Sequence, residues 1–296
     1  MAKPIFLLGL GNTKSGTTWL HHHLVNHPET AFHLNLTKEY NLIECGYAHR
    51  RRSAWNPPKW RQLLRYRQWE WSRKLQGKPV TSPDGNVLLG MPRGQFLAEF
   101  AQHGAMQSVF RRQSRRFAVV GDISPNNILQ PPKKINAVIE SLREDFDVRA
   151  VMMWRDPLAR MESLFKHGER ANFKLHKQAF SKALTSDDFT ELSKFSQLTA
   201  LKRLSRLDLE PHHILYEELF SPEGQGILDG FHDFFSLEHK AGKFSQTVNE
   251  ASAGETGFTP EQRQIMARAL QSEYTELGHF FGETRLRAIW DFPTAS

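Results

Sequence analysis

The sequence has few of the features that mark secreted and membrane proteins. It contains one cysteine, Cys45, among 296 residues, so no disulfide can form within the chain. No apolar run approaches the roughly 18 residues that a membrane-spanning helix needs. The first apolar run, residues 5–10, leads into a glycine-rich turn and not into a small-residue cleavage site, so no secretory signal is predicted. We therefore expect a reducing, cytoplasmic location.

Metal-ligand patterns are scarce as well. Three consecutive histidines, residues 21–23, fall within a predicted helix, and no other residues lie at a spacing that would complete a ligand set with them. We expect these histidines on the surface of that helix. The sequence predicts no metal site.

Positive charge is concentrated in one segment. The chain is 39% hydrophobic and 24% charged, which is typical of a soluble protein with a sizeable core. Its formal net charge is +7. Residues 49–74 account for this excess, since they hold seven arginines and two lysines against one acidic residue, Glu70. The same segment holds four of the seven tryptophans.

Alternating apolar and amphipathic stretches predict alternating strands and helices, which indicates a parallel sheet with helices on both faces. The predicted strands cover residues 5–10, 30–36, 116–121, 148–154 and 213–216. The predicted helices cover residues 19–25, 94–112, 131–143, 157–170, 187–206, 227–235 and 259–281, the last capped by Thr259. No repeat, long linker or shift in composition divides the chain. We therefore predict one α/β domain, residues 1–296.

The stretch from Ile5 to Leu20 reads I-F-L-L-G-L-G-N-T-K-S-G-T-T-W-L. It predicts a buried strand, a turn rich in Gly, Ser and Thr, and the start of a helix. Backbone N–H groups in such a turn, together with the helix dipole, form an anion site. The expected ligand is a phosphate or a group of similar shape.

The loop departs from the nucleotide-triphosphate pattern G-x-x-x-x-G-K-[ST]. Gly11 and Gly16 have the right spacing, but Thr17 stands at the lysine position and the lysine is Lys14, inside the loop. Thr18 keeps the hydroxyl that would bind Mg²⁺. The loop can hold a terminal anionic group, but it lacks the lysine that phosphoryl transfer from ATP normally uses.

The run T-K-S-G-T-T-W-L, followed by His27-Pro28, resembles the 5′-phosphosulfate loop of sulfotransferases. The resemblance implies a P-loop-like α/β fold, 3′-phosphoadenosine 5′-phosphosulfate as sulfuryl donor, no metal ion, and a hydroxyl or amine as acceptor. It covers most of the chain except residues 46–115. The donor-binding residues that it implies in this loop are Lys14, Ser15, Gly16, Thr17, Thr18 and Trp19.

A second segment, R-D-P-L-A-R-M-E-S, follows the strand predicted at residues 148–154. Arg155 at the strand end and Ser163 about two helical turns later can both face one phosphate. The segment resembles the 3′-phosphate site of sulfotransferases, which implies that Arg155 and Ser163 hold the donor's 3′-phosphate. A structural ion pair of Arg155 with Asp156 or Glu162 is the alternative.

Two further segments contain the acidic residues expected to act in catalysis. T-K-E-Y-N-L-I-E resembles the Lys-Glu segment of heparan-sulfate-type and bacterial sulfotransferases, which implies Glu39 as general base, Lys38 beside the donor and Glu44 on the acceptor side. G-D-I-S-P-N-N resembles another segment of that group, which implies that Asp122 and Ser124 lie on the acceptor side. There Ile123 replaces the lysine that heparan-type enzymes carry, and this weakens the case for a highly sulfated polysaccharide acceptor.

Residues 46–115 are predicted to form a helical, basic, tryptophan-rich insertion that shapes the acceptor site. Interleaved Arg and Trp can stack on sugars or aromatic rings, or lie on a membrane surface, or form a basic outer face over a packed inner one. We therefore expect the acceptor to be a carbohydrate, a lipid or a small molecule. Residues 49–74 are also compatible with peripheral contact with a membrane. A third donor contact is expected within residues 243–254, with no residue assigned.

Two other functions are compatible with the sequence. One is a P-loop kinase acting on a small molecule, which ATP-dependent and Mg²⁺-dependent turnover would indicate. The other is a non-catalytic basic module that binds nucleic acid or anionic lipid, which strongly salt-dependent binding without donor binding would indicate. The ordered motifs favour the sulfotransferase, with no nucleic-acid partner.

Overall fold

The computed structural model describes residues 3–35, 38–45, 87–88, 91–92, 105–170, 174–186, 188–245 and 257–292. Its strands are β1 (Ile5–Gly11), β2 (Val87–Leu88), β3 (Met91–Pro92), β4 (Val119–Ile123), β5 (Asp147–Trp154) and β6 (His212–Leu215). The helices of the first half are α1 (Thr17–Val25), α2 (Leu42–Cys45), α3 (Ala105–Gln113), α4 (Pro132–Arg143) and α5 (Pro157–Arg170). Those of the second half are α6 (Lys174–Ser186), α7 (Gln197–Leu204), α8 (Tyr216–Leu219), α9 (Gly224–Phe234), α10 (Pro260–Ala269), α11 (Gln271–Phe281) and α12 (Glu283–Arg287).

Four strands form a parallel sheet in the order β4-β1-β5-β6. After β1 the chain leads to one side of the sheet, and after β5 it leads to the other. The position where the winding reverses therefore lies between β1 and β5, and such a position is where open α/β sheets bind ligands. The short strands β2 and β3 form a separate antiparallel pair.

The alternation of side chains along β1 divides the core into two layers. Phe6, Leu8 and Leu10 belong to one apolar cluster, which α4 and α5 cover. Ile5 and Leu7 belong to the other, which α1 and α9 cover. All seven residues of β1 are buried, as expected for a central strand of a parallel sheet. Among the described residues, no helix combines the length and the apolar character that crossing a membrane would need.

The strand predicted over residues 30–36 is wrong. Thr30 makes one parallel bridge to Val119, and a 3₁₀ turn, Phe32–Leu34, follows at once. The side-chain amide of Asn35 then donates to the carbonyl of Gly121 at 3.1 Å. Because a side chain takes the acceptor on β4 that a longer strand would use, the ladder ends after a single bridge.

Two predicted helices are interrupted in the structure. Within residues 187–206, a 3₁₀ turn and α7 are separated by Ser196, whose extended backbone and side chain cap α7. The helix predicted over residues 259–281 consists of α10 and α11, which meet at Leu270. The predicted cap is confirmed, since Thr259 and Gln262 form a reciprocal capping box.

Helices α1 and α9 meet through a pair of buried histidines. His23 Nε2 and His232 Nε2 are 2.9 Å apart, and His21 is buried on another side of α1. The expectation that the histidine run lies on the helix surface is therefore wrong except for His22, because α1 is covered by the sheet and by α9. Burial lowers the pKa of His23 to about 3 and that of His232 to about 4.

This histidine pair should make the protein less stable in mild acid. Below pH about 6.5 the unfolded chain protonates both imidazoles, whereas the folded chain keeps them neutral until about pH 4. The unfolded state therefore binds more protons across this window, so the free energy of unfolding should fall as the pH falls. Urea unfolding at pH 7 and pH 5 measures the change.

His232→Gln keeps a hydrogen-bonding side chain but cannot titrate, so it should lose less stability than the wild type between pH 7 and pH 5. His22→Gln, at the exposed neighbour in α1, serves as the control and should behave as the wild type. Equal pH dependence in all three proteins would show that the pair does not cause the effect.

Candidate functional site

The loop between β1 and α1 is shaped to expose backbone N–H groups. Gly16 has a φ of 93°, and a Cβ there would lie 2.7 Å from the Tyr216 ring, so this position requires glycine. Lys14 also has a positive φ, 66°, a strained conformation that is frequent at ligand sites. The N-terminus of α1 has no side-chain cap, so its first N–H groups are left for an anion.

A buried hydroxyl marks the centre of this loop. Ser15 has no exposed surface, and its Oγ has no hydrogen-bond partner in the described structure. A buried polar atom without a partner is costly, and such atoms in native proteins usually face a ligand or an ordered water. Thr17 is almost fully buried beside it. Together with the uncapped helix, Ser15 indicates an anion site at the end of β1.

Arg155 comes directly after β5 and reaches this loop. Its Nη1 donates to the carbonyl of Lys14 at 3.1 Å, and its guanidinium lies 4.6 Å from the centroid of the Tyr216 ring. Its Nε is 4.0 Å from Glu217 Oε1. Arg155 therefore lies beside the loop, at the carboxyl ends of β1 and β5. Ser163 lies about two turns into α5 and is partly buried.

Two carboxylates, the buried Asp156 and the partly buried Glu217, hold the Arg155 segment in place. Asp156 accepts from the backbone N–H of Ala159 at 2.7 Å and from the hydroxyl of Tyr274 at 2.8 Å. Glu217 accepts from the backbone N–H of Asp156 at 3.2 Å and from the indole of Trp290 at 2.8 Å. Burial raises the pKa of both carboxyl groups. The alternative ion pair of Arg155 with Asp156 is not the contact observed, because both Asp156 oxygens accept from other donors.

Lys38 and Glu39 lie beside the first turn of α1. Lys38 Nζ donates to Thr18 Oγ1 at 2.6 Å and is 3.3 Å from Glu39 Oε1. A 3₁₀ turn, Phe32–Leu34, precedes them in place of the predicted strand. Glu39 is partly exposed, with 21% of its side chain accessible, so its carboxylate can reach a bound molecule. The structure thus brings Lys38 and Glu39 next to the loop between β1 and α1, residues 12–16, which we call the anion loop.

Asp122 and Ser124 lie at the end of β4 and are fully buried. They bind the backbone N–H groups of Tyr40 and Asn41, each at 2.8 Å. Burial raises the pKa of Asp122 to about 6, and the Glu39 carboxylate adds to this rise. Neither side chain is open to an acceptor molecule in this structure. Glu44 belongs to α2, but its side chain, like residues 46–86 and the basic segment 49–74, lies outside the described residues.

Trp19 connects the loop to the late part of the chain. Its indole donates to the carbonyl of Lys243 at 3.2 Å and stacks on Phe244, with ring centroids 5.4 Å apart and planes 14° apart. Lys243 begins the segment expected to give a third donor contact. The structure places this beginning next to Trp19, while residues 246–256 lie outside the described part.

Sequence reasoning missed three buried polar residues beneath the loop. Gln197 donates to the carbonyl of Arg155 at 2.8 Å and accepts from its N–H at 3.3 Å. Arg160 donates to the carbonyls of Thr13 and Phe195 and lies 3.9 Å from Glu273. Arg160 was detectable in principle, since it lies four residues before Leu164 on the apolar face of α5. Gln197 and Glu273 have no comparable sequence signal.

Comparison by sequence gives no match to a protein-family profile or to a curated protein. Among solved structures, the sulfotransferase domain from the curacin biosynthetic pathway matches 99% of this chain and 99% of its own, with a TM-score of 0.50 and 15% identity. The sulfotransferase domain of the Synechococcus PCC 7002 olefin synthase covers 95% of this chain and 96% of its own (TM-score 0.45, 17% identity). Sulfotransferase STF9 from Mycobacterium avium covers 95% and 78% (TM-score 0.42, 13% identity). The first match shows that the chain has the sulfotransferase fold, and the predicted fold class is confirmed.

Proposed function

We propose that this protein is a sulfotransferase that moves a sulfuryl group from 3′-phosphoadenosine 5′-phosphosulfate to a hydroxyl or amine acceptor. The observation that supports this best is the contact between Arg155 and the carbonyl of Lys14. This contact joins a cationic side chain to the glycine-containing loop before α1, a helix that has no side-chain cap. The loop lies where the winding of the sheet reverses, between β1 and β5, in a chain with the sulfotransferase fold. A donor with two separate anionic groups matches such a pair of subsites.

The residues present suit this donor. In the proposal, the N–H groups of the loop, Lys14 and the hydroxyls of Ser15, Thr17 and Thr18 hold the 5′-phosphosulfate. The Ser15 hydroxyl fits that role because it lacks a hydrogen-bond partner in the described structure. Gly16 fits it because its positive φ shapes the loop that presents the N–H groups. Arg155 and Ser163 hold the 3′-phosphate, and Trp19 lies beside the loop in the donor site.

The transfer is an in-line displacement at sulfur. The acceptor oxygen or nitrogen forms a bond to sulfur while the bond between sulfur and the bridging phosphate oxygen breaks, and the acceptor proton passes to the Glu39 carboxylate. Lys14 and Lys38 stabilise the negative charge that develops on the leaving phosphate. The contact of Lys38 with both Thr18 and Glu39 supports this arrangement, because it keeps a cation between loop and base.

The kinase alternative has weaker support. Thr17 stands at the lysine position of the nucleotide-triphosphate loop. In addition, the Thr18 hydroxyl, which would bind Mg²⁺ in such a loop, accepts a hydrogen bond from the Lys38 ammonium. An acceptor screen by mass spectrometry with the sulfuryl donor tests the proposed function directly. Products heavier by one SO₃ group support it, and ATP-dependent phosphorylation instead would overturn it.

Donor-product binding offers a test that needs no acceptor. Adenosine 3′,5′-bisphosphate should bind in the presence of a chelator and raise the melting temperature, because a ligand that binds only the folded state stabilises it by mass action. Adenosine 5′-monophosphate lacks the 3′-phosphate and should bind much more weakly. Titration calorimetry and thermal-shift assays measure both affinities.

Arg155→Ala should bring the affinities of the two nucleotides close together, since the residue that distinguishes them is gone. Arg149→Ala, a change on the same strand that removes contacts with Asp147, Phe234 and Ser236, serves as the control and should keep the wild-type preference. If the wild type binds both nucleotides equally, Arg155 and Ser163 do not form a 3′-phosphate site.

A further inference from the structure

The Asp122 carboxylate lies beneath the segment that carries Lys38 and Glu39. Its Oδ1 accepts from the N–H of Tyr40 at 2.8 Å, and the Ser124 hydroxyl lies 2.8 and 2.7 Å from its two oxygens. Asn127 Nδ2 is 3.5 Å from Oδ2. Every one of these neighbours is a donor, and an ionised carboxylate is the side chain that only accepts.

Ser124 completes the arrangement. Its Oγ accepts from the N–H of Asn41 at 2.8 Å while its own proton points to Asp122. Two consecutive backbone N–H groups, those of Tyr40 and Asn41, are therefore held by side chains at the end of β4. This arrangement is also connected to β1, because Asn127 donates to the carbonyl of Gly9 at 2.9 Å.

The neighbouring residues fix the same turn from other sides. The Tyr40 ring is fully buried and lies edge-on to Phe110 with centroids 5.4 Å apart. Asn41 has a φ of 50°, a left-handed conformation that asparagine tolerates better than most residues. The chain thus turns sharply directly after Glu39, and the turn is anchored to the sheet through Asp122 and Ser124.

We propose that Asp122 and Ser124 are positioning residues that hold the Lys38–Glu39 pair against the anion loop. This inference rests on the proposed function, and it replaces the acceptor-side role expected for the two residues. They act through the backbone of Tyr40 and Asn41 and touch neither donor nor acceptor. A general base must lie within hydrogen-bond reach of the proton that it removes, and a displacement of about 1 Å can cost as much as 10²-fold in rate.

The kinetic test compares Asp122→Asn and Ser124→Ala with the wild type. Both variants should lower kcat by about 10-fold to 10²-fold and lower the affinity for adenosine 3′,5′-bisphosphate much less, because Lys14, Ser15 and Arg155 stay in place. Asp147→Asn, at the opposite end of the sheet, is the matched control and should leave both quantities unchanged. Wild-type kcat in both site variants would overturn the proposal.

A double-mutant cycle separates positioning from a general loss of stability. If Asp122 acts through Glu39, Asp122→Asn should lower kcat little further in a Glu39→Gln background, because the general base that Asp122 positions is already absent there. A full additional loss in that background would contradict the proposed coupling.

Hydrogen exchange gives a readout that does not depend on activity. The amides of Tyr40 and Asn41 should exchange faster in both variants, while amides within β4 stay protected. Unchanged exchange at these two amides would overturn the anchoring even in an active enzyme. Conversely, a wild-type protein that transfers no sulfuryl group would overturn the proposed function, and the exchange result would still decide whether Asp122 and Ser124 anchor the segment.

Discussion

Glu39→Gln should lower kcat for sulfuryl transfer by about 10²–10⁴-fold, the usual cost of removing a general base. Glutamine keeps the size and shape of the side chain, but its amide cannot accept the acceptor's proton. The affinity for adenosine 3′,5′-bisphosphate should stay near the wild-type value, since the anion loop and Arg155 are unchanged. Steady-state kinetics on an acceptor found in the screen, together with donor-product titration, measure the two effects separately.

Lys38→Met should also lower kcat, because Lys38 contacts both the Thr18 hydroxyl and the Glu39 carboxylate. Glu276→Gln, at an exposed position of α11, is the matched control and should leave kcat unchanged. If Glu39→Gln keeps nearly full kcat, the base is another residue. The exposed His33 would then be the next to test, since Asp122 is buried and engaged by Tyr40 and Ser124.

The position of the site, at the carboxyl ends of the central strands, could be predicted because its sequence signals are local. The apolar runs ending at Leu10 and Trp154 identify central strands, and the polar residues that follow them must meet where parallel strands end. Arg155 and Lys14 are 141 residues apart in the sequence and hydrogen-bonded in the structure. Their meeting follows from strand ends and needs no knowledge of side-chain contacts.

The segment before Lys38 shows where local signals fail. Residues 30–36 have the composition of a strand, but a strand forms only if a neighbour offers free backbone groups. Asn35 takes the carbonyl of Gly121 with its side chain, and this competition between a side chain and a backbone ladder is decided by tertiary structure. The structure places Lys38 and Glu39 beside the first turn of α1, but a 3₁₀ turn precedes them where the sequence predicted a strand.

Buried polar contacts were the least predictable part of the structure. His23 and His232 are 209 residues apart, so nothing near either residue indicates its partner. The same holds for the Asp122 carboxylate and the N–H of Tyr40, which are 82 residues apart. A polar residue in a sequence predicts exposure on average, and only its partners reveal that it is buried.

Glu273→Ala should lower the free energy of unfolding by about 3–5 kcal/mol, the usual cost of removing one member of a buried ion pair. Arg160 and Glu273 are 3.9 Å apart, with side chains 1% and 2% exposed. Removal of the carboxylate leaves the Arg160 guanidinium buried and uncompensated. Ser196 and Gln197 also lose an acceptor at the start of α7. Urea unfolding of the wild type and of Glu273→Ala at neutral pH measures this difference in the free energy of unfolding.

The surface pair of Arg287 and Glu283 provides the matched control. Its charged atoms are closer, at 2.7 Å, but both side chains are more than half exposed, so Glu283→Ala should change the unfolding free energy by no more than about 0.5 kcal/mol. A similar small effect for both variants would show that Glu273 does not compensate a buried charge.

The double variant Arg160→Met with Glu273→Leu distinguishes the charge from the packing. It removes both buried charges together, so it should recover much of the stability that Glu273→Ala loses. It should still bind adenosine 3′,5′-bisphosphate more weakly than the wild type, because Arg160 no longer donates to the Thr13 carbonyl in the anion loop. Wild-type affinity in a stable double variant would show that Arg160 supports the fold without shaping the loop.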